Sequence, residues 1–85
     1  MAKVEIYTNA SCAWCLAAKM LLKQNGYDYQ EFRIDLDPDK YAEMLDRAQR
    51  RSVPQIFIDD RMIGGYEELA DAVRAGQIGP GGTTA

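Results

Sequence analysis

Near its start the chain alternates apolar with polar residues, and after residue 12 the apolar positions recur at helical spacing. Lys3-Val4-Glu5-Ile6-Tyr7 puts Val4 and Ile6 on one face and predicts a short strand over 3–7, followed by a polar loop over 8–11. From Cys12 the period changes. Trp14, Ala17, Ala18, Leu21 and Leu22 form an apolar stripe, and Asn25-Gly26 supplies the stop of a first helix. Residues 28–34 predict a second strand, with Tyr29, Phe32 and Ile34 as its bulky members. Asp37-Pro38 reads as an N-cap and first helical residue, and Tyr41, Met44, Leu45 and Ala48 predict the buried stripe of a second helix. Gln55-Ile56-Phe57-Ile58 predicts a third strand, Asp59-Asp60-Arg61 a tight turn, and Met62-Ile63 a fourth strand, the pair forming a hairpin. Gly64-Gly65 breaks this hairpin. Glu67 and Glu68 then open a third helix carrying Leu69, Ala72 and Val73, at the end where a helix dipole favours acidic residues.

The order strand, helix, strand, helix, hairpin, helix predicts an α/β domain. Its first two strands, joined through a helix, run parallel with a right-handed crossover, and the hairpin adds antiparallel strands. The expected result is a four-stranded mixed sheet flanked by three helices, with helices on both faces. One domain is expected over 1–78. Residues 79–85, Gly-Pro-Gly-Gly-Thr-Thr-Ala, read as a flexible C-terminal tail.

At 85 residues the chain is long enough for one small domain. Its net charge of −3, with Arg47, Arg50 and Arg51 as the only basic cluster, argues against nucleic acid as a partner. No apolar run approaches the roughly 20 residues of a spanning helix, so no membrane partner is expected. Met1-Ala2-Lys3 runs straight into a charged segment with no secretory apolar region, which points to the cytoplasm. The chain has no histidine, which excludes Cys-His protease chemistry and zinc sites that use imidazole.

The two cysteines are spaced Cys12-Ala13-Trp14-Cys15. Cys12 falls where a loop following a strand meets the first turn of a helix. Unpaired amide groups and the helix dipole there favour an anionic sulfur, the reactive form of the thiol. Cys15 lies about one helical turn on, on the same face, and can close a disulfide with Cys12. Cys12 therefore reads as the attacking thiol and Cys15 as the resolving one. The alternatives are two core cysteines, half of a zinc site completed by a second chain, or a structural disulfide. A disulfide closing so small a loop constrains little of the unfolded chain, and this chain offers only two of the four thiolates a zinc site needs. A Cys-x-x-Cys that opens a helix after a strand reads as a redox motif.

Other residues have two readings each. Pro54 is either an ordinary proline at a strand start or part of the site. Gly64-Gly65 is either a plain turn or a place where backbone approaches a ligand closely beside a helix N-terminus. Trp14 is either core or the wall of a substrate groove.

Together, Val4-Glu5-Ile6-Tyr7-Thr8, the Cys12–Cys15 pair, Ser52-Val53-Pro54-Gln55-Ile56-Phe57-Ile58 and Ile63-Gly64-Gly65 resemble the glutaredoxin family, particularly its small bacterial dithiol members. The resemblance covers nearly the whole chain. It implies a thioredoxin fold and a glutathione-dependent thiol–disulfide oxidoreductase. Such an enzyme acts on protein disulfides and protein–glutathione mixed disulfides, with glutathione as co-substrate. It implies a cis Pro54 that sets the Val53 backbone against glutathione, with Ser52 where the family usually has Thr. It also places Glu67 and Glu68 at the γ-glutamyl end of glutathione. The expected glutathione-binding set is Cys12, Trp14, Arg51, Ser52, Val53, Pro54, Gly65, Glu67 and Glu68.

The chain departs from the family pattern at Ala13-Trp14 in place of Pro-Tyr. Asn9 stands where Lys is common. Tyr41 stands where Gln or Arg often helps hold the glycine carboxylate, leaving Arg51 for that end. Some glutaredoxins hold a two-iron, two-sulfur cluster between two subunits. The Ala13-Trp14 departure makes this the alternative reading, with Cys12 as the metal ligand and glutathione completing the set. The chain is expected to be a monomer, dimeric only when cluster-bound.

Overall fold

The computed structural model describes residues 3–76. Seven elements follow in order: β1 (Val4–Thr8), α1 (Ala13–Gln24), β2 (Gln30–Arg33), α2 (Pro38–Ala48), β3 (Gln55–Ile58), β4 (Arg61–Gly64) and α3 (Tyr66–Arg74). The strands form one mixed sheet in the order β2-β1-β3-β4. β1 runs parallel to β2, and the β1–β3 and β3–β4 pairs are antiparallel. This is the expected thioredoxin-fold arrangement. The expected tail over 79–85, and the end of the domain at 78, lie outside the described residues.

β1 is central and buried along its whole length. Its even positions face one way. Val4 and Ile6 pack with Ile56 and Ile58 of β3, Ala18 and Leu22 of α1, and Leu69 and Ala72 of α3. Its odd positions face α2, where Tyr7 and Phe57 pack with Met44 and Ala48. The alternation read from the sequence therefore sorts residues between two covered faces, as strand geometry requires. Glu5 lies on the α2 face and is buried against Arg47, whose Nη2 donates to Glu5 Oε1 at 3.1 Å. The Arg47 guanidinium also lies 4.0 Å from the Phe57 ring centre.

The caps form as expected at α2, where Asp37 Oδ1 accepts from the amides of Asp39 (3.0 Å) and Lys40 (3.3 Å). The hairpin turns on Asp59 and Asp60, with φ of 51° and 66°, as the two-residue turn that matches strand twist demands. Arg61 belongs to β4 and not to the turn. Thr8 belongs to β1 and not to the loop. β2 starts only at Gln30, leaving Asp28 and Tyr29 before it. Two stripe assignments are corrected. Trp14 is 60% exposed and Tyr41 is 37% exposed, so neither is core. Tyr41 stands one turn before Met44, the first buried residue of α2, and Trp14 turns out to Tyr66 beside the buried Cys15.

Candidate active site

Cys12 is the N-cap of α1, and its φ of −110° and ψ of 106° bring the chain into the helix from an extended conformation. Its sulfur accepts from the Cys15 amide at 3.0 Å, satisfying one of the free N–H groups at the helix start. The Cys12 thiol in turn donates to the Val53 carbonyl at 3.5 Å. Both cysteines are free thiols. Cys12 is partly exposed, whereas Cys15 is 1% exposed. Burial, joined by the hydrogen bond with Cys12, pushes the Cys15 thiol up to about 12, so at neutral pH it is a protonated, hidden thiol. Iodoacetamide at neutral pH is accordingly expected to label Cys12 and to leave Cys15 unmodified until the protein is unfolded. Peptide mass mapping checks this, and equal labelling of the two in the folded protein would contradict the asymmetry.

The Val53–Pro54 peptide is cis and places Val53 beside the Cys12 sulfur. From there a groove of about 430 Å³ runs to the start of α3. One wall is Trp14, whose ring lies 5.3 Å from that of Tyr66 at a tilt of 36°. The loop carrying Ser52, Val53 and Pro54 borders it, and Gly65, Glu67 and Glu68 line its α3 end. A Cβ on Gly65 would stand 3.6 Å from the Pro54 carbonyl oxygen, which measures how closely the two segments approach. Beneath the loop, Gln55 is buried. Its Nε2 donates to the Ser52 carbonyl at 3.0 Å and to Ser52 Oγ at 3.2 Å, fixing the loop from below.

The structure thus brings Trp14, Ser52, Val53, Pro54, Gly65, Glu67 and Glu68 together along one groove, with Cys12 at its edge. Arg51 is exposed and does not line this groove. Its neighbour Arg50 does, reaching Glu68 with Nη1 2.6 Å from Oε1. The hydrogen bonds from Arg50 and from the Gly65 amide, outweighing burial, hold the Glu68 carboxyl below the usual range. Arg50, Gln55 and Tyr66 are not among the site residues expected from the sequence. Only Tyr66, the first aromatic after the glycine pair, offered a signal. On the other side of Cys12 lies a polar hollow that includes Asn9, Lys19, Glu31 and Arg33. There, Glu31 accepts from Thr8 Oγ1 at 2.6 Å and from Lys19 Nζ at 3.0 Å. Burial opposes ionisation of Glu31, but these two partners outweigh it and keep its carboxyl below the ordinary range.

Among the described residues no three His, Cys, Asp or Glu side chains gather to hold a metal ion. The one accessible thiol, Cys12, fits a bridging cluster only as a single ligand among the four such a cluster needs. Among the described residues, no helix is long and apolar enough to cross a membrane.

The glutaredoxin family model matches residues 4–63, which hold both cysteines and the Val53–Pro54 loop. The chain belongs to the glutaredoxin family. Glutaredoxin 3 of Escherichia coli K12 is 45% identical over 80 residues, spanning 94% of this chain and 96% of that protein. Among solved structures, the glutaredoxin of Brucella melitensis is 36% identical with a TM-score of 0.78, covering 91% of this chain and 84% of that one. A buckwheat glutaredoxin–glutathione complex is 28% identical with a TM-score of 0.80, covering 89% and 72%. Membership makes the chain a thiol–disulfide oxidoreductase.

Proposed function

We propose that this glutaredoxin is a glutathione-dependent disulfide reductase in which Cys12 attacks and Cys15 resolves. The observation that carries the reading is the groove itself. It begins at Val53, whose carbonyl accepts from the partly exposed Cys12 thiol, is walled by an indole, and ends among acidic side chains at a helix start. A tripeptide attached through its own cysteine to Cys12 would lie along it. The buckwheat neighbour was solved as a complex with glutathione.

Two routes follow. In the first, the Cys12 thiolate attacks the glutathione sulfur of a protein–glutathione mixed disulfide, and the protein thiolate leaves. A second glutathione thiolate then attacks the bound glutathione sulfur, releasing Cys12 and glutathione disulfide. In the second, Cys12 attacks a protein disulfide. Cys15 then loses its proton and attacks the Cys12 sulfur, freeing the protein dithiol and leaving a Cys12–Cys15 disulfide for two glutathiones to reduce. Trp14, Ser52, Val53, Pro54, Gly65, Glu67 and Glu68 are assigned to holding glutathione, and one chain suffices for either route. A dithiol pair working against glutathione suits a reducing, cytoplasmic compartment.

The test is turnover of a glutathionylated peptide with glutathione and glutathione reductase, run beside thioredoxin reductase without glutathione. Turnover in the first assay is expected. Turnover in the second alone would leave the chain an oxidoreductase and remove glutathione from its mechanism.

A further inference from the structure

The α3 end of the groove is closed by an ion pair between its two walls. Arg50 comes from the loop between α2 and β3, and Glu68 from the first turn of α3. Arg50 Nη1 lies 2.6 Å from Glu68 Oε1 and Nη2 lies 3.3 Å from Oε2, so one guanidinium faces both carboxylate oxygens. The carboxylate is anchored independently of Arg50, because Oε1 also accepts from the Gly65 amide at 3.0 Å. It lies against the bare Cα of Gly64, where a Cβ would come within 2.3 Å of Oε1. Glu68 is thus a fixed anion at the end of the groove. Arg50 is 43% exposed along a long side chain, and among the described residues Glu68 is the anion that holds it there.

Glutathione carries one cationic group, the α-ammonium of its γ-glutamyl residue. We propose that Arg50 is an internal stand-in for that ammonium. It occupies the seat on Glu68 in the free protein and swings away when glutathione enters. This rests on the glutathione reading above and deepens it by naming the residue that tunes affinity. The carboxylate keeps its bond to Gly65 whichever cation it holds, so the seat is formed before the ligand arrives. The cost of entry is the partly exposed Arg50–Glu68 pair. Pairs of this kind are worth up to about 1 kcal/mol, or about fivefold in affinity. The opposite assignment, in which Arg50 anchors a carboxylate of glutathione, predicts the opposite sign.

The experiment measures KM for a peptide–glutathione mixed disulfide, and for the same peptide joined to glutaryl-cysteinyl-glycine, which lacks the ammonium. Arg50→Gln is expected to lower KM for the glutathione substrate by about two- to fivefold while giving no gain with the analogue. Arg50→Lys, which keeps the charge and loses the two-pronged contact, should fall between. Glu68→Gln is expected to raise KM for the glutathione substrate and to erase the preference over the analogue. A higher KM in Arg50→Gln, or an equal fall for both substrates, would overturn the proposal. A wild type that reduces protein disulfides but turns over neither mixed disulfide would overturn the glutathione reading, and this inference with it.

Discussion

Cys12→Ser is expected to lower kcat/KM by roughly 10⁴-fold or more on every disulfide substrate, because it removes the attacking atom. Serine can keep the structural part of the residue's work. Its hydroxyl can accept from the Cys15 amide, where the Cys12 sulfur now accepts at 3.0 Å, so α1 retains its cap. The loss should therefore come without a change in fold, which circular dichroism would check. Cys15→Ser should separate the two routes. It leaves the partly exposed sulfur of Cys12 in place, so reduction of a glutathionylated peptide, which needs one thiol, should continue. Reduction of a protein disulfide should stop at a mixed disulfide between Cys12 and the substrate, trapped for mass spectrometry. A Cys12→Ser protein that keeps activity while Cys15→Ser loses it on both substrates would reverse the assignment made from burial.

The parts of the fold legible in the sequence were those set by neighbours in the chain. Period marked β1, α1, α2 and the β3–β4 hairpin, the Asp37-Pro38 pair marked the start of α2, and spacing placed Cys12 at the mouth of α1 with Cys15 inside it. What was hidden depends on contacts between distant segments. Glu5 reads as the polar half of an alternating strand, yet it is buried because Arg47, 42 residues away, reaches it and is itself stacked on Phe57. Trp14 has the same phase as Ala18 on α1, but while Cys15 of the same turn is buried, the Trp14 ring lies out against Tyr66.

Arg50 and Arg51 show a different limit. They follow Gln49, which caps α2 with φ of 58°, and precede a loop of no regular period. No repeat therefore fixes which of the two points toward the groove. Arg51 was the expected partner of the glycine carboxylate; Arg50 lines the groove, at its α3 end, and Arg51 does not. The cysteines could be read from local spacing alone, whereas Ser52-Val53-Pro54, Gly65, Glu67 and Glu68 entered through the family resemblance and line the groove, and what stayed hidden at the α3 end was the Arg50–Glu68 pair.

Gly64→Ala is expected to destabilise the protein by about 2–4 kcal/mol, from backbone strain and a lost hydrogen-bond acceptor together. Gly64 ends β4 with φ of +112°, a conformation that residues with a Cβ rarely adopt. The register of β3 and β4 shifts between the Phe57–Met62 and Ile56–Gly64 pairs, so this backbone is already turning out of the ladder toward α3. An added Cβ would also come within 2.3–2.6 Å of the Glu68 carboxylate atoms. That carboxylate would have to leave, taking with it the acceptor of the Gly65 amide and the partner of Arg50. Against a total stability of about 5–15 kcal/mol, a loss of this size is a large fraction for a small domain. Urea denaturation of Gly64→Ala, Glu68→Ala and the double variant separates the two contributions. Glu68→Ala removes the clashing group, so the double variant should be more stable than the sum of the single losses predicts. What remains beyond the Glu68→Ala loss measures the cost of φ alone. Strict additivity would mean that the carboxylate does not rest on Gly64, and a Gly64→Ala protein as stable as the wild type would contradict the backbone conformation itself.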